Sequence, residues 1–162
     1  MTESEIRSPS PDGTVGMQSI LCVDDDRDDR LLAEMAHRQS GVANPLAFAN
    51  SGPEALEYLR RAGRHVQRAA QPRPSIILLD LNMPGMDGLE TLGLIRADAQ
   101  LRAIPVIFLT TSRSAHDIRR CYEAGANSYV VKPASFSSLV QFFSRLCEFW
   151  FGVTALPDEA RR

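Results

Sequence analysis

The stretch ILCVDDDRDD, Ile20 to Asp29, sets five aspartates, Asp24, Asp25, Asp26, Asp28 and Asp29, within six positions directly after an apolar run. Further along, Asp80 closes the run SIILLD, Thr110 closes IPVIFLT, and Lys132 follows SYVV. Gathered at one place, Asp24, Asp25 and Asp80 would repel one another, by about 4 kcal/mol for a pair near 4 Å at an effective dielectric of 20. Such a trio needs a cation. Hard oxygen ligands with room for water suit Mg²⁺, whose usual protein environment is one or two carboxylates plus a substrate phosphate. With Asp24 and Asp25 holding the metal, Asp80 can attack a phosphoryl group and become an aspartyl phosphate. Phosphoryl transfer spreads charge onto the peripheral oxygens, so the useful partners are cations and donors. Lys132 supplies the positive charge and Thr110 a hydroxyl. Asn82, two residues after Asp80, offers its backbone carbonyl to the metal and its amide to the surroundings of the phosphate. Asp28 and Asp29 are expected to favour a helix N-terminus electrostatically.

Each of these signals has a plainer reading when taken alone. Aspartates cap helices in solvent, Thr110 is an ordinary strand-terminal hydroxyl, and MPGMDG is a turn followed by a helix start. The combination depends on elements that bring the residues together. Five short runs rich in strand-forming residues appear: SILCV (19–23), LAFA (46–49), SIILLDL (75–81), IPVIFLT (104–110) and SYVV (128–131). Amphipathic segments separate them. DDRLLAEMAHRQS (28–40) is expected to turn Leu31, Leu32, Met35 and Ala36 to the core and Arg30, Glu34 and Arg38 to water. SGPEALEYLRRAG (51–63) begins with a serine cap and an early proline and is expected to end on Gly63. DGLETLGLIRADA (87–99), SAHDIRRCYEAG (114–125) and FSSLVQFFSRLCEFWF (136–151) complete the set, with Gly125 as a C-terminal glycine. RHVQRAAQPRP (64–74) reads as a basic loop.

Strand and helix alternating five times imply a parallel sheet, because parallel neighbours need a crossover. Continuous apolar runs such as IILLDL and VIFLT suit strands covered on both faces. The expected fold is a three-layer α/β/α sandwich, doubly wound, with its working edge at the carboxyl ends of the strands. Asp24, Asp25, Asp80, Thr110 and Lys132 all lie at that edge.

VDDD at the first strand end, LLDLNMPGMDG around the third, FLTTS at the fourth and AGANSYVVKP at the fifth, in that order, resemble the receiver domain of two-component response regulators. The resemblance spans roughly residues 18–146 and implies a flavodoxin-like, chemotaxis-regulator-like sheet of five strands in the order 2-1-3-4-5. It implies a sensor histidine kinase that passes a phosphoryl group from phosphohistidine to Asp80. It also implies Mg²⁺ bound by Asp25, Asp80 and the Asn82 carbonyl, with Asp24 acting largely through water. A switch is implied in which Thr110 turns toward the phosphoryl group and Tyr129 moves inward behind it, together with a cis bond before Pro133. The C-terminal LVQFFSRLCEFWFGVTALP is similar to the end of small response regulators that serve bacterial and cyanobacterial phytochromes. That narrower likeness implies a red-light-sensing kinase as donor and a homodimer built through this region.

The totals limit the alternatives. At 162 residues the chain has room for one domain of ordinary size. Residues 1–17 are expected to be a mobile tail, 18–151 the receiver domain and 152–162 a C-terminal extension. Apolar residues make up 44% and charged residues 23%, close to the soluble average. A formal net charge of -2 provides no basic excess for nucleic acid. No apolar stretch reaches the roughly 18 residues of a membrane span. Three widely spaced cysteines, Cys22, Cys121 and Cys147, suit reduced thiols in the cytoplasm. His37, His65 and His116 lack metal spacing and are expected at the surface. Phe149, Trp150 and Phe151 are consecutive and cannot share one helix face, so they are expected to form the dimer interface, unless the tail GVTALP folds back over them.

Too few residues follow Phe151 for a DNA-binding module, so the expected output is protein binding, dimerisation or a phosphorelay. A haloacid-dehalogenase-like phosphatase is the enzymatic rival. That family needs an acid/base aspartate where Asn82 stands, and asparagine cannot transfer that proton. A receiver-like module that works without phosphorylation is the other rival, and the retained acids, Thr110 and Lys132 argue against it.

Overall fold

The structure, a computed structural model, describes residues 17–158. The expected tail, apart from Met17, and residues 159–162 lie outside the described part. Five strands, β1 (Ile20–Val23), β2 (Leu46–Ala49), β3 (Ile76–Leu79), β4 (Val106–Thr110) and β5 (Ser128–Val131), alternate with five α-helices. The helices are α1 (Arg27–Ser40), α2 (Gly52–Arg60), α3 (Gly88–Ala97), α4 (Ala115–Glu123) and α5 (Phe136–Cys147). All strand pairs are parallel and the sheet order is β2-β1-β3-β4-β5, the doubly wound, flavodoxin-like arrangement expected from the sequence.

Strand alternation divides the core in two, because successive side chains leave a strand on opposite faces. Leu21, Val23, Ile77, Leu79, Val106 and Phe108 pack toward Leu56 and Leu59 of α2, Leu92 and Ile95 of α3, and Cys121 of α4. Ile20, Cys22, Ile76, Leu78, Ile107 and Leu109 pack toward Ala33 and Ala36 of α1 and Phe143 and Leu146 of α5. Every residue of β1, β3 and β4 is buried. Each large aliphatic among them contributes about 1.5–3 kcal/mol by leaving water. All three cysteines are buried free thiols, and burial pushes Cys22 up to about 12 and Cys121 and Cys147 up to about 11.

Several details depart from the sequence expectation. Helix α1 turns Ala33 and Ala36 inward, while Leu31, Leu32 and Met35 are exposed, Leu31 to 54%. Space explains the inversion. Phe143 and Leu146 of α5 already fill the layer beneath, and α1 fits beside them through small side chains. His37 lies on the same inner side, half-buried, with its ring edge on Phe143 and Nε2 bonded to the Asn44 carbonyl at 2.8 Å. It is therefore not a surface residue as expected.

The basic segment after α2 is a 3-10 helix over Gly63–Ala70. Arg68 stacks over the Tyr58 ring, Arg64 pairs with Glu54, and His65 packs half-buried against Tyr58. These side-chain anchors have no periodic signature. Helix α2 ends earlier than Gly63, at Arg61, which adopts a left-handed conformation with φ +56°.

Beyond α5 the chain continues as a π-helix over Glu148–Val153. The wider winding lets Trp150 and Phe151 pack on the second core cluster together with Leu156 from the tail. Phe149 stays 51% exposed. Leu156 of the tail thus packs on the same cluster as Trp150 and Phe151, in keeping with the monomeric alternative.

Gly88 opens α3 directly under the end of β3. A Cβ there would lie 2.3 Å from the Asp80 carbonyl oxygen and 2.9 Å from the Leu81 Cα, neither of which can swing away. Gly88→Ala should therefore destabilise the protein by about 2 kcal/mol through overpacking, measured as a lower urea midpoint at unchanged slope. A midpoint equal to wild type would mean that the α3 start is looser than described.

Candidate functional site

Strand register assembles the site. Val23 pairs with Leu79, so the next residues, Asp24 and Asp80, emerge side by side from β1 and β3. Thr110 ends β4 opposite Val131, and the Lys132 amide bonds the Thr110 carbonyl at 2.7 Å, which aims the lysine at the same rim. Asp24 and Asp80 are buried, Asp25 is exposed and Thr110 is fully buried. Oxygen atoms of Asp24, Asp25 and Asp80 lie within 4.8 Å of one another. Three carboxylates of mixed exposure at that spacing fit a hard divalent cation that keeps some of its water.

A cation from the protein itself already stands among them. Lys132 Nζ is 2.7 Å from Asp24 Oδ2, 2.8 Å from Asp29 Oδ2 and 3.6 Å from Asp80 Oδ2. Burial alone would lower the ammonium pKa. The hydrogen bonds from Asp24 and Asp29 and the charge of Asp80 outweigh it, so the group is held well above the usual lysine range. Burial pushes the Asp80 carboxyl up from the ordinary carboxylate range. The Lys132 charge opposes that rise, Asp24 adds to it, and the Thr110 hydroxyl and Leu81 amide counter it. Asp80 is thus a buried carboxylate with the Lys132 ammonium 3.6 Å away.

The aspartates of the opening run divide their work. Asp26 caps α1, accepting from the amides of Asp28 and Asp29 at 2.8 and 3.0 Å. Asp24 Oδ1 accepts the Asp26 amide at 3.0 Å, and its backbone carbonyl accepts Arg30 Nη1 at 2.7 Å. Asp29 reaches Lys132, a role the sequence did not reveal. The only hint was its position in the first turn of a helix starting beside the metal cluster, and its direction depends on how α1 leaves β1.

Tyr129 is half-buried beside Phe108, with ring centroids 6.3 Å apart, and its hydroxyl donates to the Ser112 carbonyl at 2.9 Å. Burial, foremost, raises its pKa. Ser112 is anchored in turn, donating to Asp117 Oδ2 at 2.6 Å. Tyr129 is therefore tied to the loop that follows Thr110. Asn82 is exposed beyond Asp80. The expected cis bond before Pro133 is absent: among the described residues every peptide bond is trans. Trans is the intrinsically preferred isomer even before proline, and Lys132 reaches the acids with it. Phe149, Trp150 and Phe151 lie on the continuation of α5, where Trp150 and Phe151 pack on the second core cluster.

Comparison with known proteins agrees with this geometry. The family model described as "Response regulator receiver domain" matches residues 20–144. The response regulator Rcp1 of Synechocystis is 33% identical over 138 residues, covering 85% of this chain and 92% of that protein. Its Mn²⁺-bound form has a TM-score of 0.75 over 87% of this chain and 99% of the other. RPA3017, a response regulator in red light signalling of R. palustris, has a TM-score of 0.82 at 34% identity, covering 88% and 99% of the two chains. The phosphorylated cyanobacterial phytochrome response regulator RcpA has a TM-score of 0.78 at 37% identity over the same shares. Strand-end acids, lysine, sheet order and sequence likeness converge: this chain belongs to the response regulator receiver domain family.

Proposed function

We propose that Asp80 accepts a phosphoryl group from the phosphohistidine of a phytochrome-type sensor histidine kinase, with Mg²⁺ held by Asp24, Asp25, Asp80 and the Asn82 carbonyl. One observation carries the reading: a buried carboxylate at a strand end lies within 4.8 Å of two further acids and 3.6 Å from a strand-end ammonium. An Asp80 oxygen forms the new P–O bond while the P–N pair returns to the imidazole. Lys132 and Thr110 face the oxygens on which charge gathers. A bound divalent cation supplies the charge neutralisation that three clustered acids and a phosphoryl group require together. The pathway rests on likeness to the red-light regulators RPA3017 and RcpA.

The protein is a phosphorylation-controlled switch, in keeping with receiver domains generally, and does not turn over metabolites. Ser112 is bonded to both residues, its amide donating to the Thr110 hydroxyl at 3.4 Å and its carbonyl accepting from Tyr129 at 2.9 Å, which supports the Thr110–Tyr129 switch. We assign 18–151 to the receiver unit and 152–162 to an extension. Output passes through protein contacts in the cytoplasm and not through nucleic acid; among the described residues no helix is long and apolar enough to cross a membrane. A homodimer through the C-terminal region suits the exposed Phe149 and Val153, while Trp150 and Phe151 support it from within their own chain.

Transfer from a phosphorylated phytochrome-type kinase should label the wild-type chain and not Asp80→Asn, with the fold of the variant intact by circular dichroism. Labelling of Asp80→Asn at the wild-type level would overturn the nucleophile assignment. Transfer no faster than from an unrelated kinase would overturn the pathway. Mg²⁺ at a hundred times its Kd should raise wild-type stability by about 2.7 kcal/mol, and Asp25→Asn should lose most of that gain in denaturant titrations. Phe149→Asp should weaken self-association about tenfold or more, read by sedimentation. Trp150→Ala should chiefly lower folding stability, because its ring packs on its own core.

A further inference from the structure

Lys132 serves its three carboxylate claimants unequally. An ammonium offers three donors; Asp24 and Asp29 take two at 2.7 and 2.8 Å, while Asp80 stands off at 3.6 Å. Charge-assisted N–H···O bonds are made near 2.7–2.9 Å, so the ammonium is engaged with its neighbours more than with the carboxylate on which the chemistry falls. The claimants differ in how firmly they are placed. Asp24 is buried and fixed at the strand end, its other oxygen held by the Asp26 amide. Asp29 stands on the first turn of α1 with its side chain 40% exposed. A phosphoryl group on Asp80 brings new anionic oxygens that need this same ammonium, and Asp29 is the partner that can be left to water at least cost.

We propose that Asp29 is a positioning residue for phosphoryl capture: its carboxylate competes with the phosphoryl group at Asp80 for the Lys132 ammonium and so limits the fraction of molecules ready to receive it. The inference rests on the reading of Asp80 as phosphoacceptor. Affinity for any ligand falls by the fraction of protein in the competent arrangement, and removing the competitor returns that fraction. Lengthening the side chain to glutamate keeps the charge and the competition. Because the effect runs through Lys132, it should vanish when that ammonium is absent.

Beryllofluoride, a non-covalent mimic of the phosphoryl group, is titrated in saturating Mg²⁺ against wild type, Asp29→Asn, Asp29→Glu, Lys132→Met and the Asp29→Asn/Lys132→Met double variant. Thermal melts check that each is folded. Asp29→Asn should bind about fivefold more tightly than wild type, and Asp29→Glu should stay within about twofold of wild type. In the Lys132→Met background Asp29→Asn should change nothing, the signature of a coupled pair. A crystal structure of metal-free Asp29→Asn should place the ammonium at hydrogen-bonding distance from Asp80. Unchanged or weaker binding by folded Asp29→Asn overturns the proposal. So does equal tightening in the Lys132→Met background, which would show a general field effect. Failure of the parent reading looks different: beryllofluoride would bind Asp80→Asn as well as wild type, or would not bind wild type at all.

Discussion

Three carboxylates within a few ångströms of one another are an unfavourable arrangement, and the rim of this protein is organised around making them tolerable. Lys132 is the internal answer. It is delivered from a different strand than any of the acids, so the neutralisation exists only when the sheet has closed in its native order. The charge cluster and the strand register therefore depend on each other. A slip between β1 and β3 would separate Asp24 from Asp80, and one between β4 and β5 would withdraw the ammonium.

The apolar body supplies what the cluster cannot. β1, β3 and β4 are buried along their length and carry Asp24 and Asp80 at the ends of a packed support. The groups at the edge of this frame are the ones with freedom. Lys132 follows a half-buried edge strand, Asp29 sits on a helix turn, and Tyr129 is tethered to a loop through one carbonyl. Rigid acceptor and adjustable surroundings are a division of labour suited to a switch. The acceptor carboxylate keeps its place while a change of charge there can be answered by neighbours that cost little to move.

Much of this was legible in the residues. Runs such as IILLDL and VIFLT announce strands covered on both faces, and the strand-end rule then places Asp24, Asp80, Thr110 and Lys132 at one rim. What was hidden has a common physical cause. Leu31, Leu32 and Met35 mark an amphipathic helix, but which stripe turns inward depends on how much room the opposite helix leaves, and Phe143 and Leu146 had taken it. The 3-10 helix after α2 rests on cation-π and ion-pair anchors that leave no periodic trace. Asp29 reads as a helix-start charge, because its reach to Lys132 is set by the angle between β1 and α1. The isomer before Pro133 and the outward turn of Phe149 beside the partly buried Trp150 and Phe151 are likewise matters of three-dimensional packing.

The slender inner side of α1 has an evolutionary corollary. Along the outward ridge, Leu31, Leu32 and Met35 meet solvent, and divergence there can proceed without the charge cluster registering it. On the inward side, one added methylene at Ala33 or Ala36 would press on the cluster that holds Phe143 and Leu146. The two sides of a single helix thus answer to different constraints, solvent along one and the packing of Phe143 and Leu146 along the other.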